Sequence, residues 1–327
     1  MKKRKQIKRV LYVCLMLILV LVMMYSGLRL LESTVLSPAV PEQQETVRKT
    51  ITRNGVDYFP RQDITVMLVM GIDQYGPIQA SQAHQNPGSA DMVALLIFDE
   101  VNQTCDALCL NRDTMLEMPV LGIGGREAGT YFGQLALAHT YGTGMEDSCE
   151  NVRKTVSNLL YGITVDYYVA MNMDAIGILN DAVGGVTVMV EDDFSAIDPS
   201  IDTGEVTLRG EQALNFVRTR KDVGNQLNIS RMERQKQYIE GFVKAFRDSL
   251  QGEESFILET YETVSPYVLS DCSVNTLSNM LSRYSEFTIG RIVTPEGENV
   301  LGRTYYEFYL DEEKLDPLIL ELFYAPK

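Results

Sequence analysis

The hydrophobic pattern of this chain changes character twice. Residues 10–28 (VLYVCLMLILVLVMMYSGL) are nineteen consecutive positions without a charge. At about 1.5 Å of rise per residue, the run covers roughly 28 Å, the depth of a bilayer core, and predicts a transmembrane helix. Residues 1–9 (MKKRKQIKR) carry six basic side chains and no acidic one. That flank places the N-terminus in the cytoplasm and the rest of the chain outside. The run is longer than a signal-peptide core and no A-x-A site follows it, so the expectation is a retained anchor in the cell membrane. Residues 29–62 mix Pro, Thr, Gln and charges and read as an extracytoplasmic linker.

From residue 63 short apolar runs alternate with helical periods. ITVMLVMG (64–71), DMVALLIF (91–98) and TCDALCL (104–110) are continuous enough to be buried strands. Thr143-Gly-Met-Glu146 spells a capping box ahead of the helical ENVRKTVSNLLYG. TVDYYVAMN (164–172) reads as a strand, MDAIGILNDAVGG (173–185) as a helix closed by two glycines, and VTVMVE (186–191) as a strand. Residues 192–207 read as an acidic loop, and a long helix is expected to open at Arg231 behind the capping box Ser230–Glu233. Strands alternating with helices predict one α/β domain over 63–327 around a central, largely buried sheet.

Charge narrows the function classes. The chain carries −15 and the first nine residues +6, which leaves −21 on residues 10–327. A domain this acidic argues against a general nucleic-acid binder. Only two histidines, His84 and His139, and no CxxC argue against a zinc site or a Ser-His-Asp triad. Cys105 and Cys109 share a strand face about 13 Å apart and cannot pair with each other. Pairing of either with Cys149 or Cys272, or four free thiols, stays open at this level.

The exception to the acidic balance is 218–236 (RTRKDVGNQLNISRMERQK), with four arginines and two lysines. Arg231 and Arg234 fall in the expected first helical turn, where backbone N–H groups and the helix dipole favour an anion. On a stripe of Met232, Ile239, Phe242 and Phe246, Gln235 falls inside and Arg231 at the edge, so both need polar partners. Arg218 and Arg220, two apart, share a face if the segment is extended. Guanidinium forks match phosphate oxygens two at a time, so the cluster suits a phosphate or pyrophosphate. The alternative is a set of salt bridges to the abundant carboxylates. Asp73 follows the first strand, Asp91 opens the second and Arg112 follows the third. Two carboxylates beside arginines are the donor set of a Mg²⁺-bridged pyrophosphate, although each Asp taken singly also suits a turn.

GID (71–73), SADMVALLIF, NRDTM (111–115), LAHTYGTG, VDYYVAMNMD, DAVGGVTV, LRGEQALNFVRTRKD and SRMERQ occur in the order of the LytR–CpsA–Psr family, which this chain resembles over about residues 63–250. The resemblance implies a three-layer α/β/α sandwich with a central mixed sheet, behind a single N-terminal transmembrane helix. It implies a phosphotransferase that moves a glycopolymer, such as a teichoic acid or capsular polysaccharide, from undecaprenyl pyrophosphate to peptidoglycan at the cytoplasmic membrane. By motif, Asp73 and Asp91 would hold Mg²⁺, and Arg112, Arg218, Arg220, Arg231 and Gln235 the pyrophosphate. Asp91, Arg112 and Arg218 would carry the catalysis. The family usually has an arginine just before the Ser-Asp of the second strand and another closely after the GxD aspartate; here neither Gly88-Ser89-Ala90-Asp91 nor Gln74-Tyr75-Gly76 supplies one. With water as acceptor the same residues would make a polyprenyl-pyrophosphate hydrolase, and without turnover a polyprenyl-phosphate-binding protein.

Overall fold

The structure, a computed structural model, describes residues 50–326 apart from 124, 220–222, 224–227, 251–255, 274–275, 277–278, 281–282 and 285–286. The expected transmembrane helix therefore lies outside the described residues. Among the described residues no helix is long and apolar enough to cross a membrane.

In chain order the strands are β1 (Ile51–Arg53), β2 (Val56–Pro60), β3 (Ile64–Ile72), β4 (Ala90–Asp99), β5 (Thr104–Leu110), β6 (Met115–Leu121), β7 (Glu127–Gln134), β8 (Tyr167–Asn172), β9 (Val186–Val190) and β10 (Gly204–Leu208). They continue with β11 (Val268–Ser270), β12 (Thr288–Val293), β13 (Gly297–Leu301), β14 (Tyr306–Leu310) and β15 (Tyr324–Pro326). The helices are α1 (Glu146–Leu159), α2 (Met173–Ala182), α3 (Glu211–Arg218), α4 (Asn228–Leu250), α5 (Phe256–Val264) and α6 (Glu312–Phe323).

These elements fall into two compact units, one holding residues 50–171, 269–272 and 290–326, the other 172–268 and 273–289. A single domain was the expectation from composition. The second unit is a stretch of chain between the sheet's own strands, so no linker or composition change marks it.

The first unit is built on a six-stranded sheet in the order β11-β8-β3-β4-β5-β12. β3 and β4 pair antiparallel, as do β4 and β5. Five consecutive residues of β3, Val66 to Met70, are buried, which requires cover on both faces and explains why the strand reads as an unbroken apolar run. The C-terminal quarter of the chain supplies β11 and β12 at the two sheet edges. Residues 51–60, read from composition as linker, instead pair as β1 and β2, and β2 also takes β15. Their turn is Asn54-Gly55 with both φ angles positive (52° and 80°), a two-residue hairpin signal that the polar composition masked.

The second unit holds the β9–β10 hairpin with α2, α3, α4 and α5. β10 was expected to be loop. Its residues GEVTL are half exposed in alternation and gain strand order only by pairing with β9. α2 ends as the two glycines require: Gly184 and Gly185 have φ of 75° and 94° and donate to Asp181 and Asn180 carbonyls.

Candidate functional site

Antiparallel pairing of β3 with β4 brings the end of one to the start of the other. Ile72 faces Ala90 across a bulge, and the Asp73 N–H donates to the Ser89 carbonyl at 2.9 Å. Asp73, after the end of β3, and Asp91, at the start of β4, thus come to the same end of the sheet through antiparallel neighbours. Gly88 is required there, because a Cβ would stand 2.8 Å from the Gln74 side chain and 2.9 Å from that of Ile72.

Arg112 follows β5 at the same end of the sheet. Its Nη1 forms an ion pair with Asp91 Oδ1, which also accepts from Ser89 Oγ at 2.8 Å. Arg112 Nε is buried and has no hydrogen-bond partner in the structure; Asp113 Oδ1 stands 3.4 Å away, too long for a well-formed bond. Asp113 is itself buried and accepts from Gln134 Nε2 at 3.1 Å, while its N–H donates to Asn111 Oδ1. The Ala136 N–H donates to the Arg112 carbonyl. The guanidinium is therefore held by a fixed backbone, with the carboxylates of Asp91 and Asp113 beside it and its Nε without a well-formed hydrogen bond.

Behind this corner lies a buried polar network that sequence reasoning did not resolve. The Asn86 amide donates to the carbonyls of His139 and Gly142 and to Ser148 Oγ, and its Oδ1 accepts from the Gly88 N–H. His139, 1% exposed, bonds the Gly88 carbonyl through Nδ1 at 2.7 Å. A carbonyl only accepts, so Nδ1 carries the proton and Nε2 faces Cys149 Sγ at 3.9 Å. Burial pushes the His139 pKa below its ordinary value, against the opposing pull of the Gly88 carbonyl and of Asp147. Burial also pushes the Cys149 thiol well up, so it stays S–H. His139 is the packed residue expected, with a positioning duty on the loop that enters β4. The predicted capping box of Thr143 and Glu146 does not form. Met145 is the N-cap of α1, and the Asp147 carboxylate accepts from Thr143 N and Oγ1 instead. None of Cys105, Cys109, Cys149 and Cys272 is in a disulfide.

In the second unit the arginine segment divides by duty. α4 starts at Asn228, three residues ahead of the expected start, so Ser230 lies inside the helix rather than at its N-cap. Its buried face runs Arg231, Arg234, Tyr238, Phe242 and Phe246. Arg231 is thus on that face rather than at its edge. Arg234 spends its guanidinium on protein: Nε on the Phe216 carbonyl at 3.0 Å, Nη1 on Asp192 at 2.7 Å and Nη2 on the Thr219 carbonyl, with the Phe194 ring 5.5 Å from Cζ. Gln235 Nε2 donates to the Val217 carbonyl at 3.1 Å. These carbonyls close α3, so the two side chains of α4 cap its C-terminus, where positive charge also meets the helix dipole. For Arg234 the salt-bridge alternative is the observed one.

Arg218 is the last residue of α3 and is exposed, which corrects the extended stretch assumed for it; the chain turns extended only at Thr219. Arg220 lies outside the described residues. A metal bound by Asp73 and Asp91 would find hard oxygen donors. Among the described residues no three His, Cys, Asp or Glu side chains converge on a cation site. Such a donor set suits Mg²⁺, which takes one or two carboxylates and completes its shell with phosphate oxygens and water.

A model of the LytR_cpsA_psr family matches residues 33–321. The chain is similar to the polyisoprenyl-teichoic acid–peptidoglycan teichoic acid transferase TagU of Bacillus licheniformis, 24% identical over 98% of this chain and 97% of that protein. TagU of Bacillus subtilis is 25% identical over the same shares. Among solved structures, B. subtilis TagV is 25% identical with a TM-score of 0.58, covering 80% of this chain and 96% of its own. TagT bound to LI-WTA is 21% identical with a TM-score of 0.61, covering 88% and 98%, a likeness of fold. The mixed α/β fold around a central sheet is common to them.

Proposed function

The chain belongs to the LytR–CpsA–Psr family, and we propose that it is a membrane-anchored phosphotransferase that moves a glycopolymer from undecaprenyl pyrophosphate to peptidoglycan. Near full-length similarity to proteins named teichoic acid–peptidoglycan transferases supports a teichoic acid as cargo, with a capsular polysaccharide as the other class the family implies. The anchor of residues 10–28 would keep the chain at the cell membrane with residues 29–327 outside. The family's three-layer α/β/α sandwich is the architecture this reading expects. The observation that carries it is Arg112, a half-buried guanidinium beside Asp91 and Asp113 at the strand ends, with a buried Nε that makes no hydrogen bond.

In this reading a peptidoglycan hydroxyl attacks the sugar-side phosphorus. A new P–O bond forms while the bridging P–O bond to polyprenyl phosphate breaks. Charge grows on both phosphates, and preorganised guanidinium donors stabilise it more than they do the ground state. Arg112 supplies one such fork. Arg218, Arg220 and Arg231 are the further phosphate ligands the family resemblance assigns. Gln235 is assigned there too, but its bond to the Val217 carbonyl favours a positioning duty on α3. The hydroxyl proton passes to a base, for which Asp91 is the nearby carboxylate. Asp73 and Asp91 would hold Mg²⁺, which supplies neutralising charge for the phosphates.

The test uses the full chain in nanodiscs with a synthetic polyprenyl-pyrophosphate glycan, peptidoglycan fragments, and either Mg²⁺ or a chelator. The expected result is polyprenyl phosphate release coupled to a glycan–peptidoglycan conjugate, abolished by chelator and by Asp91→Ala. Release without a conjugate makes the protein a hydrolase. Lipid binding without release, in the wild type with Mg²⁺, makes it a carrier.

A further inference from the structure

The β13–β14 hairpin belongs to no other sheet and ends in a turn closed by the Gly302 N–H on the Tyr305 carbonyl at 2.9 Å. A two-stranded ribbon is marginal alone. Here it is held along β14, in mid-strand by buried Phe308, whose N–H donates to the Asp113 carbonyl, and at the pair that closes the turn by Gln134 Nε2, which donates to the Tyr306 carbonyl and also reaches Asp113 Oδ1. The hairpin therefore stands on the residue next to Arg112.

Its tip is unlike the rest of the surface. Leu301 is 69% exposed and Tyr305 70%, and Val300 and Tyr306 are exposed beside them. Residues 299–306 (NVLGRTYY) contain Arg303, flanked by Glu298 and by Glu307, whose carboxylate lies beside Gly302 and accepts from the Tyr309 hydroxyl, on a chain that carries −21 beyond its first nine residues. Aliphatic and tyrosine side chains with one arginine, presented on a turn, are the composition that settles at the headgroup level of an anionic bilayer. The nineteen apolar residues 10–28, separated from β1 by only 22 residues, put a bilayer within reach.

We propose that the tip of the β13–β14 hairpin, Leu301 and Tyr305 with Arg303, docks into the anionic lipid surface and sets the Arg112 corner at headgroup height. The proposal shares with the functional reading only the membrane setting, and its readout is independent of turnover.

The chain contains no tryptophan, so a single one reports without background. Tyr305→Trp and, separately, Leu301→Trp are made in the full chain and placed in nanodiscs containing phosphatidylglycerol with brominated acyl chains. Val101→Trp is the control; that residue is 73% exposed in the β4–β5 turn, at the end of those strands away from Asp91 and Arg112. The expected result is blue-shifted emission with at least twofold quenching at both tip positions, none at the control, and relief of the quenching by Arg303→Glu. Absence of quenching at both tip positions, equal quenching at the control, or failure of the chain to co-elute with the nanodiscs overturns the proposal. Tip emission that ignores lipid and shifts with soluble peptidoglycan fragments overturns it in favour of a glycan surface.

Discussion

Two corners of this molecule each pair an arginine with an aspartate, and they do opposite things with it. At Arg234 every nitrogen of the guanidinium meets a protein acceptor, two of them main-chain carbonyls at the end of α3, and the residue is 7% exposed. At Arg112 one nitrogen meets Asp91, and the buried Nε makes no hydrogen bond and has only the Asp113 carboxylate 3.4 Å away. A guanidinium whose donors are consumed by the fold is a structural clamp. One held in place by its backbone with donors to spare is built for a ligand that brings acceptors. The basic cluster 218–236, which drew attention first by its charge, thus contains at least one clamp, while the isolated Arg112 has the better geometry for phosphate.

The sharpest way to break this contrast is to delete both arginines and separate activity from stability. Arg112→Ala should lower kcat/KM by about 10²–10³-fold, the usual cost of one preorganised donor to a transition state. Its unfolding midpoint in urea should barely move, because the pair it breaks is partly solvated. Arg112→Lys should restore little, since a point charge cannot replace a fork. A fall in stability as large as the fall in activity would make Arg112 a clamp too.

Arg234→Ala should do the reverse. It leaves the Phe216 and Thr219 carbonyls and Asp192 without their partner, at a cost of about 2–4 kcal/mol in unfolding free energy. At a temperature where the variant is folded, kcat per folded molecule should stay within severalfold of wild type. Urea unfolding alongside active-site titration checks both.

How much of this was legible in the sequence follows from the same distinction. Buried strands and the glycine-closed α2 were readable because apolar runs and turn glycines are local signals. Asp73, Asp91 and Arg112 were readable as strand-end residues, and the β3–β4 pairing then made two of them neighbours. The division of labour in 218–236 was not readable. Whether an arginine meets a phosphate or a carbonyl depends on where α3 ends and α4 begins, and the apparent capping box at Ser230 misplaced that start by three residues. Hairpin β1–β2 could have been found from Asn54-Gly55, whereas β10 has no local signal at all. The network of Asn86, His139 and Ser148 is assembled across more than 50 residues of chain, which no spacing argument reaches.

Gln235 sharpens the comparison at smaller scale. Gln235→Ala removes one hydrogen bond to the Val217 carbonyl and should cost about 1 kcal/mol in urea unfolding. Gln235→Glu should cost more, because a carboxylate then faces a carbonyl. If Gln235→Ala instead leaves stability untouched and raises KM for the lipid donor, the residue is a ligand contact rather than a cap on α3.

The smallest effect belongs to His139, and its sign is fixed by burial. The folded-state pKa lies below the unfolded one, so the neutral ring stabilises the fold above the ordinary histidine value of about 6.5, and that contribution is lost as pH falls through the folded pKa. Wild type should therefore lose stability with acidification below pH of about 6.5, with this single site adding at most about 1.4 kcal/mol per pH unit. His139→Gln keeps a donor for the Gly88 carbonyl and removes the titration, so its stability should fall less steeply over the same window. Because the Gly88 carbonyl precedes Ser89 and Asp91 by one and three residues, expulsion of the charged ring from its buried site should loosen the Arg112 corner before it loosens the Arg234 clamp. Hydrogen exchange at pH 5 reads this directly: amides of 88–91 should exchange faster in wild type than in His139→Gln, with those of 216–219 unchanged. Faster exchange at both corners would make His139 a general stabiliser with no particular tie to the site.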